Sequence, residues 1–116
     1  MTYEIEIVLR HENEAVVHTA VHPRQARDWT EADARDVLTE VLLAVNRVRN
    51  PGESDPAVSL RGFSWIVEPF EDGGVVIALE IPMGAAIAGP FDADVEALTR
   101  LITRAIAPDI SRPTVH

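Results

Sequence analysis

Residues 63–81 read FSWIVEPFEDGGVVIALEI, and their pattern decides the fold class. Phe63, Trp65 and Val67 alternate with other residues, and beyond a polar break Val75, Ile77, Leu79 and Ile81 alternate again. Alternation with period two marks strands that bury one face. Pairing Val67 with Ile77 keeps the apolar residues on one side and leaves Glu71, Asp72 and Gly73 as a three-residue loop. Gly73 then stands where a left-handed backbone is wanted. The segment is predicted to be an antiparallel hairpin.

The same pattern occurs upstream. Tyr3, Ile5, Ile7 and Leu9 alternate on one strand, and Ala15, Val17, Thr19 and Val21 on a returning one. Pairing Ile7 with Val17 sets Arg10 opposite Glu14 and leaves His11, Glu12 and Asn13 as the loop. Asn13 takes the place of Gly73, a position Asn tolerates. An offset of 60 residues aligns Ile5 with Trp65, Val17 with Ile77 and Leu38 with Leu98. An offset of 59 gives more identities in the hairpins but would turn one core face outward, so it is rejected.

Each hairpin is followed by apolar residues at helical spacing. Thr30 is the expected N-cap of the first helix, with Asp33 three residues on, and Ala34, Val37, Leu38, Val41, Leu42, Val45 and Val48 form its stripe. Trp29, just before the cap, is placed to act as a hydrophobic staple. Asn50, Pro51 and Gly52 end this helix. The second is expected to start from Asp92 after Pro90 and Phe91, to bury Val95, Leu98, Leu101, Ile102, Ala105 and Ile106, and to stop at Pro108. The expected fold is an α+β two-layer sandwich, a ββα-ββα pseudo-repeat with a four-stranded, mainly antiparallel sheet and two helices on one face. The 116 residues are expected to form a single domain of two halves, about 1–50 and 58–108, joined by a polar linker at 50–57. Neither half is large enough to bury a core of its own.

Composition narrows the functional classes. There is no cysteine, hence no disulfide framework and no thiolate chemistry. No stretch resembles a signal peptide or a membrane span, and a cytoplasmic protein is expected. The formal net charge is −9, and all ten basic residues are arginines dispersed along the chain. Such a field repels phosphate backbones and anionic membranes, so neither nucleic acid nor membrane is an expected partner.

Candidate chemistry is sparse. His18 and His22 are four apart, but a strand separates such positions by about 13 Å, so no metal site is expected. The expected register sets His18 across from Glu6, a possible acid/base pair that also fits a solvated ion pair, with no nucleophile beside it. The segment from Gly84 through Gly89 to Asp92 reads as a loop of small residues running into a helix N-terminus, a possible ligand loop. It lacks the lysine of a phosphate loop and the glycine spacing of a dinucleotide-binding turn. Phe63, Trp65 and Tyr3 alternate as core residues and call for no cofactor.

The open face of the sheet is expected to carry Val8, Val16, Ala20, Ile66, Val76 and Ala78 among charged residues, more apolar surface than water requires. From these residues the expected function is a small, acidic, non-catalytic protein-interaction module of accessory, adaptor or immunity type. It is expected to form a homodimer through that face, the commonest way to cover one, and its acidity suits a basic protein as a further partner. The alternative is a small-molecule-binding protein or enzyme with its site at the 84–92 loop and the adjoining helix N-terminus.

Overall fold

The computed structural model describes residues 1–12 and 14–106. The elements in chain order are β1 (Thr2–Leu9), β2 (Val16–Val21), a short 3-10 turn (Ala26–Asp28), α1 (Glu31–Arg49), β3 (Ser64–Pro69), β4 (Val75–Ile81), β5 (Gly84–Phe91) and α2 (Val95–Ile106). The five strands form one antiparallel sheet in the order β2-β1-β5-β4-β3. α1 lies against β1, β2 and β5, and α2 against β3 and α1. The α+β class and the antiparallel sheet with two helices are as expected; the strand count and the pseudo-repeat are not. The chain runs ββα then βββα, and the two parts share neither strand number nor hairpin register. No helix among the described residues is long and apolar enough to cross a membrane.

The fifth strand is the 84–92 segment that reads as a loop. Alanine, glycine and proline have low strand propensity, so the segment lacks the β-branched signal of its neighbours. Position overrides propensity here: β5 is the central strand, hydrogen-bonded to β1 on one side and β4 on the other. Ala86 and Ala88 are buried beneath the helices, where small side chains let a helix approach the sheet closely. Gly89 follows the same logic on the other face. At its φ of +140° a side chain is strained, and a Cβ there would lie 2.9 Å from the Val75 carbonyl oxygen. A β-bulge between Val75 and Ile77 sits beside it.

The second hairpin has the expected register, with Val67 opposite Ile77. Phe70 and Gly74 close its loop by a hydrogen bond from the Phe70 N–H to the Gly74 carbonyl at 2.9 Å, and Gly73 has φ +105°. The first hairpin is shifted by one residue. Ile7 pairs with Val16, Glu6 with Val17 and Ile5 with His18. One step along a strand exchanges its two faces, so Val16, His18 and Ala20 turn toward the helices, and Val17, Thr19 and Val21 turn away. The run Ala15-Val16-Val17 is apolar in either register, so alternation alone could not choose. The choice follows from docking. Buried Ala20 fits opposite the bulky Tyr3, and His18 reaches Glu40 on α1. His11 holds the positive φ in this turn, at +71°; Asn13 lies outside the described residues, as does Pro108.

α1 begins as expected. Thr30 is the N-cap of a capping box, its hydroxyl accepting from the Asp33 N–H while the Asp33 carboxylate accepts from the Thr30 N–H. α2 begins two residues later than expected, with the Asp94 carboxylate accepting from the Ala97 N–H at 3.0 Å. Asp92 instead pairs with Arg27 at 3.2 Å. The end of β5 carries the chain past Asp92 before helical geometry can start.

The aromatic core also differs from expectation. Trp65 is only half-buried, whereas Phe91 at the end of β5 is 1% exposed. Its ring centroid is 5.0 Å from that of Trp29 and 5.1 Å from that of Tyr3, distances at which tilted rings attract. Trp29 is tied further by its indole N–H, which donates to the Arg24 carbonyl at 3.1 Å. Phe91→Ala is expected to cost about 3–5 kcal/mol and Trp65→Ala clearly less. Chemical denaturation of the two variants checks this, and the reverse order would contradict the placement of the core.

Candidate functional site

The side of the sheet away from the helices is the candidate site. Its residues follow from the strand register. One cross-strand row runs Val17, Glu6, Ile87, Ala78, Ile66 from β2 to β3. The row beside it, from β1 to β3, runs Val8, Ala85, Glu80, Ser64. On the other side Thr19 and Glu4 lead to Gly89, and Val76 pairs with Glu68. The middle of this face is apolar, with Ala78, Ala85 and Gly89 forming a low floor between Val8, Val76, Ile87 and Ile66. Four carboxylates are interspersed with these residues: Glu4 and Glu6 on β1, Glu6 between Val17 and Ile87, Glu80 on β4 and Glu68 on β3.

Large side chains stand out on this face without cover. Val8 is 44% exposed, Val17 55%, Ile66 54% and Ile87 41%. Apolar surface costs about 25 cal/mol per Å² left in water, so contiguous groups of this kind mark places where another surface is received. Of the residues expected here, Val8, Ile66, Val76 and Ala78 are present. Val16 and Ala20 are corrected: the one-residue shift of β2 turns them to the helix side, where Ala20 is buried. Val17, Val21 and Ile87 take their place. Ile87 lies at the centre of the patch and was hidden because its segment carries no strand signal.

His18 and Glu6, expected to be cross-strand partners, are on opposite faces. His18 lies opposite Ile5 and its Nε2 is 3.7 Å from the Glu40 carboxylate on α1. Glu40 also accepts from Arg47 Nη1 at 3.0 Å, and Arg47 bonds Asp55 through Nε and Nη2. Near this carboxylate the buried Tyr3 hydroxyl is pushed up to about 12, chiefly by burial and then by the Glu40 charge. The group is a polar seam that fastens β2 and the 50–57 segment to α1. A reaction would need a substrate-sized space beside these groups, and the cavities described below are lined by neither His18 nor Glu40.

His22, just beyond β2, makes a second seam lower on α1. It is 5% exposed, and its Nε2 lies 3.6 Å from Asp33 and 4.0 Å from Asp36. These three side chains bring ligand-type atoms within 4.8 Å of one another. The histidine tautomer argues against a cation there. Nδ1 accepts the Arg24 backbone N–H at 3.1 Å, which leaves the proton of the neutral ring on Nε2, the atom that faces the carboxylates. A protonated nitrogen has no lone pair for a metal. Asp33 is moreover committed to Thr30, with Arg24 Nε 3.6 Å away.

The region expected to hold a ligand loop has a different geometry. Gly84 and Gly89 lie in a paired central strand, whose amides serve the sheet and are not free to cradle an anion. A cavity of about 320 Å³ does open at the first turn of α2, lined by Ala26, Arg27, Trp29, Ala93, Asp94, Ala97, Leu98, Leu101 and Arg104. Its polar groups are already engaged: Arg27 with Asp92, Arg104 with Glu31 at 3.1 Å, and Asp94 with the helix amide. A second, smaller space of about 240 Å³ lies between α1 and the 56–63 segment and is largely apolar, with Leu42, Val45, Phe63 and Met83 in its wall.

Asp33 yields a pH-dependent prediction. Its hydrogen bond from the Thr30 backbone, opposed by burial and helped by the Thr30 hydroxyl, Arg24 and His22, holds its carboxyl below the ordinary 3.8. A depressed folded-state value stabilises the protein above the unfolded value and is lost as the pH falls through the folded one. Asp33→Asn is therefore expected to lower stability by about 1 kcal/mol near neutrality, with the gap to wild type closing below pH 3.8. Urea unfolding at about pH 7 and about pH 2.5 checks this, and a gap that does not change with pH would show that the carboxylate charge is not the cause.

No family model, no curated protein and no solved structure matches this chain.

Proposed function

We propose that the protein is a small, non-catalytic interaction module that receives another protein on the open face of its sheet. One observation carries the reading: Val8, Val17, Ile66 and Ile87 stand between 41% and 55% exposed on that face, with Ala78 and Ala85 between them. Exposed aliphatic groups together with carboxylates on one face suit the reception of another protein. The polar clusters on the other side support it by exclusion. His18, Glu40 and Arg47, like His22, Asp33 and Thr30, spend their hydrogen bonds on holding β2 and the N-terminus of α1 in place.

The cavity at the first turn of α2 supports a second reading, a binder of a small molecule. Its charged side chains are paired with one another or with neighbours, so a ligand would have to break those pairs to be held by them.

Ile66→Asp and Ile87→Asp place charge in the apolar centre and are expected to abolish association while leaving the fold intact, since both positions are exposed. Native mass spectrometry of the protein recovered from its own cells, beside the two variants, reads this out. Association unchanged in both variants would overturn the interface, and a retained small-molecule mass lost on Leu101→Trp, which fills the cavity, would favour the second reading.

A further inference from the structure

Building on the interaction reading, we infer that the occupant of the open face is a basic partner, a protein segment whose lysines or arginines flank a strip of aliphatic side chains, and not a second copy of this chain. The open-face positions of the five strands carry Glu4, Glu6, Glu68 and Glu80 and no basic residue, and Arg10, just past β1 and beside Ser64 and Glu80, is a single cation at the margin of the face. All four glutamates are exposed, and none forms an ion pair among the described residues. The arginines whose pairs are described serve elsewhere: Arg24 with Asp33, Arg27 with Asp92, Arg47 with Glu40 and Asp55, Arg104 with Glu31.

A two-fold dimer through this face would set the same patch against itself. It would bring eight carboxylates to one interface against two arginines, the copies of Arg10 at its margin beside Glu80. A carboxylate removed from water without a partner is strongly unfavourable, so covering the aliphatic side chains in that way leaves most of these carboxylates uncompensated. A cationic partner reverses the sign. Neighbouring strands are about 4.8 Å apart, and Glu6 and Glu80 are two strands apart across Ile87 and Ala85. Basic side chains on either side of an aliphatic ridge roughly 10 Å wide would therefore meet them. Such a face also speeds encounter and rejects other acidic surfaces.

The test uses the full chain and a synthetic helical peptide of about 18 residues with leucine on one face and arginine along both borders. A control peptide carries glutamine for every arginine. Sedimentation equilibrium is expected to show a wild-type monomer. Two-dimensional amide spectra are expected to shift on β1, β4 and β5 with the arginine peptide and not with the glutamine one. Raising ionic strength from about 0.1 M to 1 M, which shortens the screening length from ~10 to ~3 Å, is expected to weaken binding. Glu6→Lys combined with Glu80→Lys should weaken it about tenfold or more, and Ile66→Asp with Ile87→Asp should abolish it. A wild-type dimer lost in the Ile66→Asp, Ile87→Asp variant would overturn the basic-partner inference while keeping the interaction reading. Binding of the two peptides with equal strength at this face would do the same. No shift on this face with either peptide, in a wild-type monomer, would overturn both.

Discussion

The pairing of β5 with both β1 and β4 is the interaction on which the rest depends. The β1-β2 and β3-β4 hairpins do not pair with each other; β5 alone joins them into one sheet. Everything above and below follows from that insertion. It aligns the buried residues of β1 and β4 under the helices, ends on Phe91 at the meeting point of Tyr3 and Trp29, and places Ile87 at the centre of the opposite face. The strand has the composition its place demands. Alanine faces the helices, where depth is limited, and glycine lies where the neighbouring backbone leaves no room for a Cβ.

The two faces of the sheet have divided their tasks. Toward the helices, polar side chains among the described residues are held by named partners: His18 by Glu40, His22 by Arg24 and Asp33, Asp33 by Thr30. Among the described residues no buried side-chain nitrogen or oxygen is left without a partner, as expected where an unmet polar group costs about 1–3 kcal/mol. These seams hold an edge strand, β2, that has little apolar surface of its own with which to pack. Away from the helices the order is inverted. The aliphatic side chains are exposed, and the four carboxylates form no ion pair among the described residues.

The difference between the two hairpins shows how much of a strand can be read before folding. In β3-β4, Gly73 fixes the turn and Val67 and Ile77 allow one register only, so pattern and turn chemistry agree. In β1-β2, Ala15, Val16 and Val17 satisfy alternation in two registers, and the tie is broken by contacts with α1 such as that of His18 with Glu40, distant in the chain. That single step moved Val16 and Ala20 off the open face, brought Val17 and Val21 onto it, and separated His18 from Glu6.

The sequence by itself determined the α+β class, the second hairpin and its turn, the capping box at Thr30 and the apolar stripes of both helices. Each of these is set by residues close together in the chain, through strand alternation, helical period or a local hydrogen bond. It also determined the charge of the surface, which no folding alters. Only the tertiary structure decided the fifth strand, the register of the first hairpin and the membership of the open face. A strand of glycine, alanine and proline has no propensity to announce it; it exists because two edges flank it. A face is the sum of registers across five strands, and one of those registers is chosen by a helix that pairs with no strand at all.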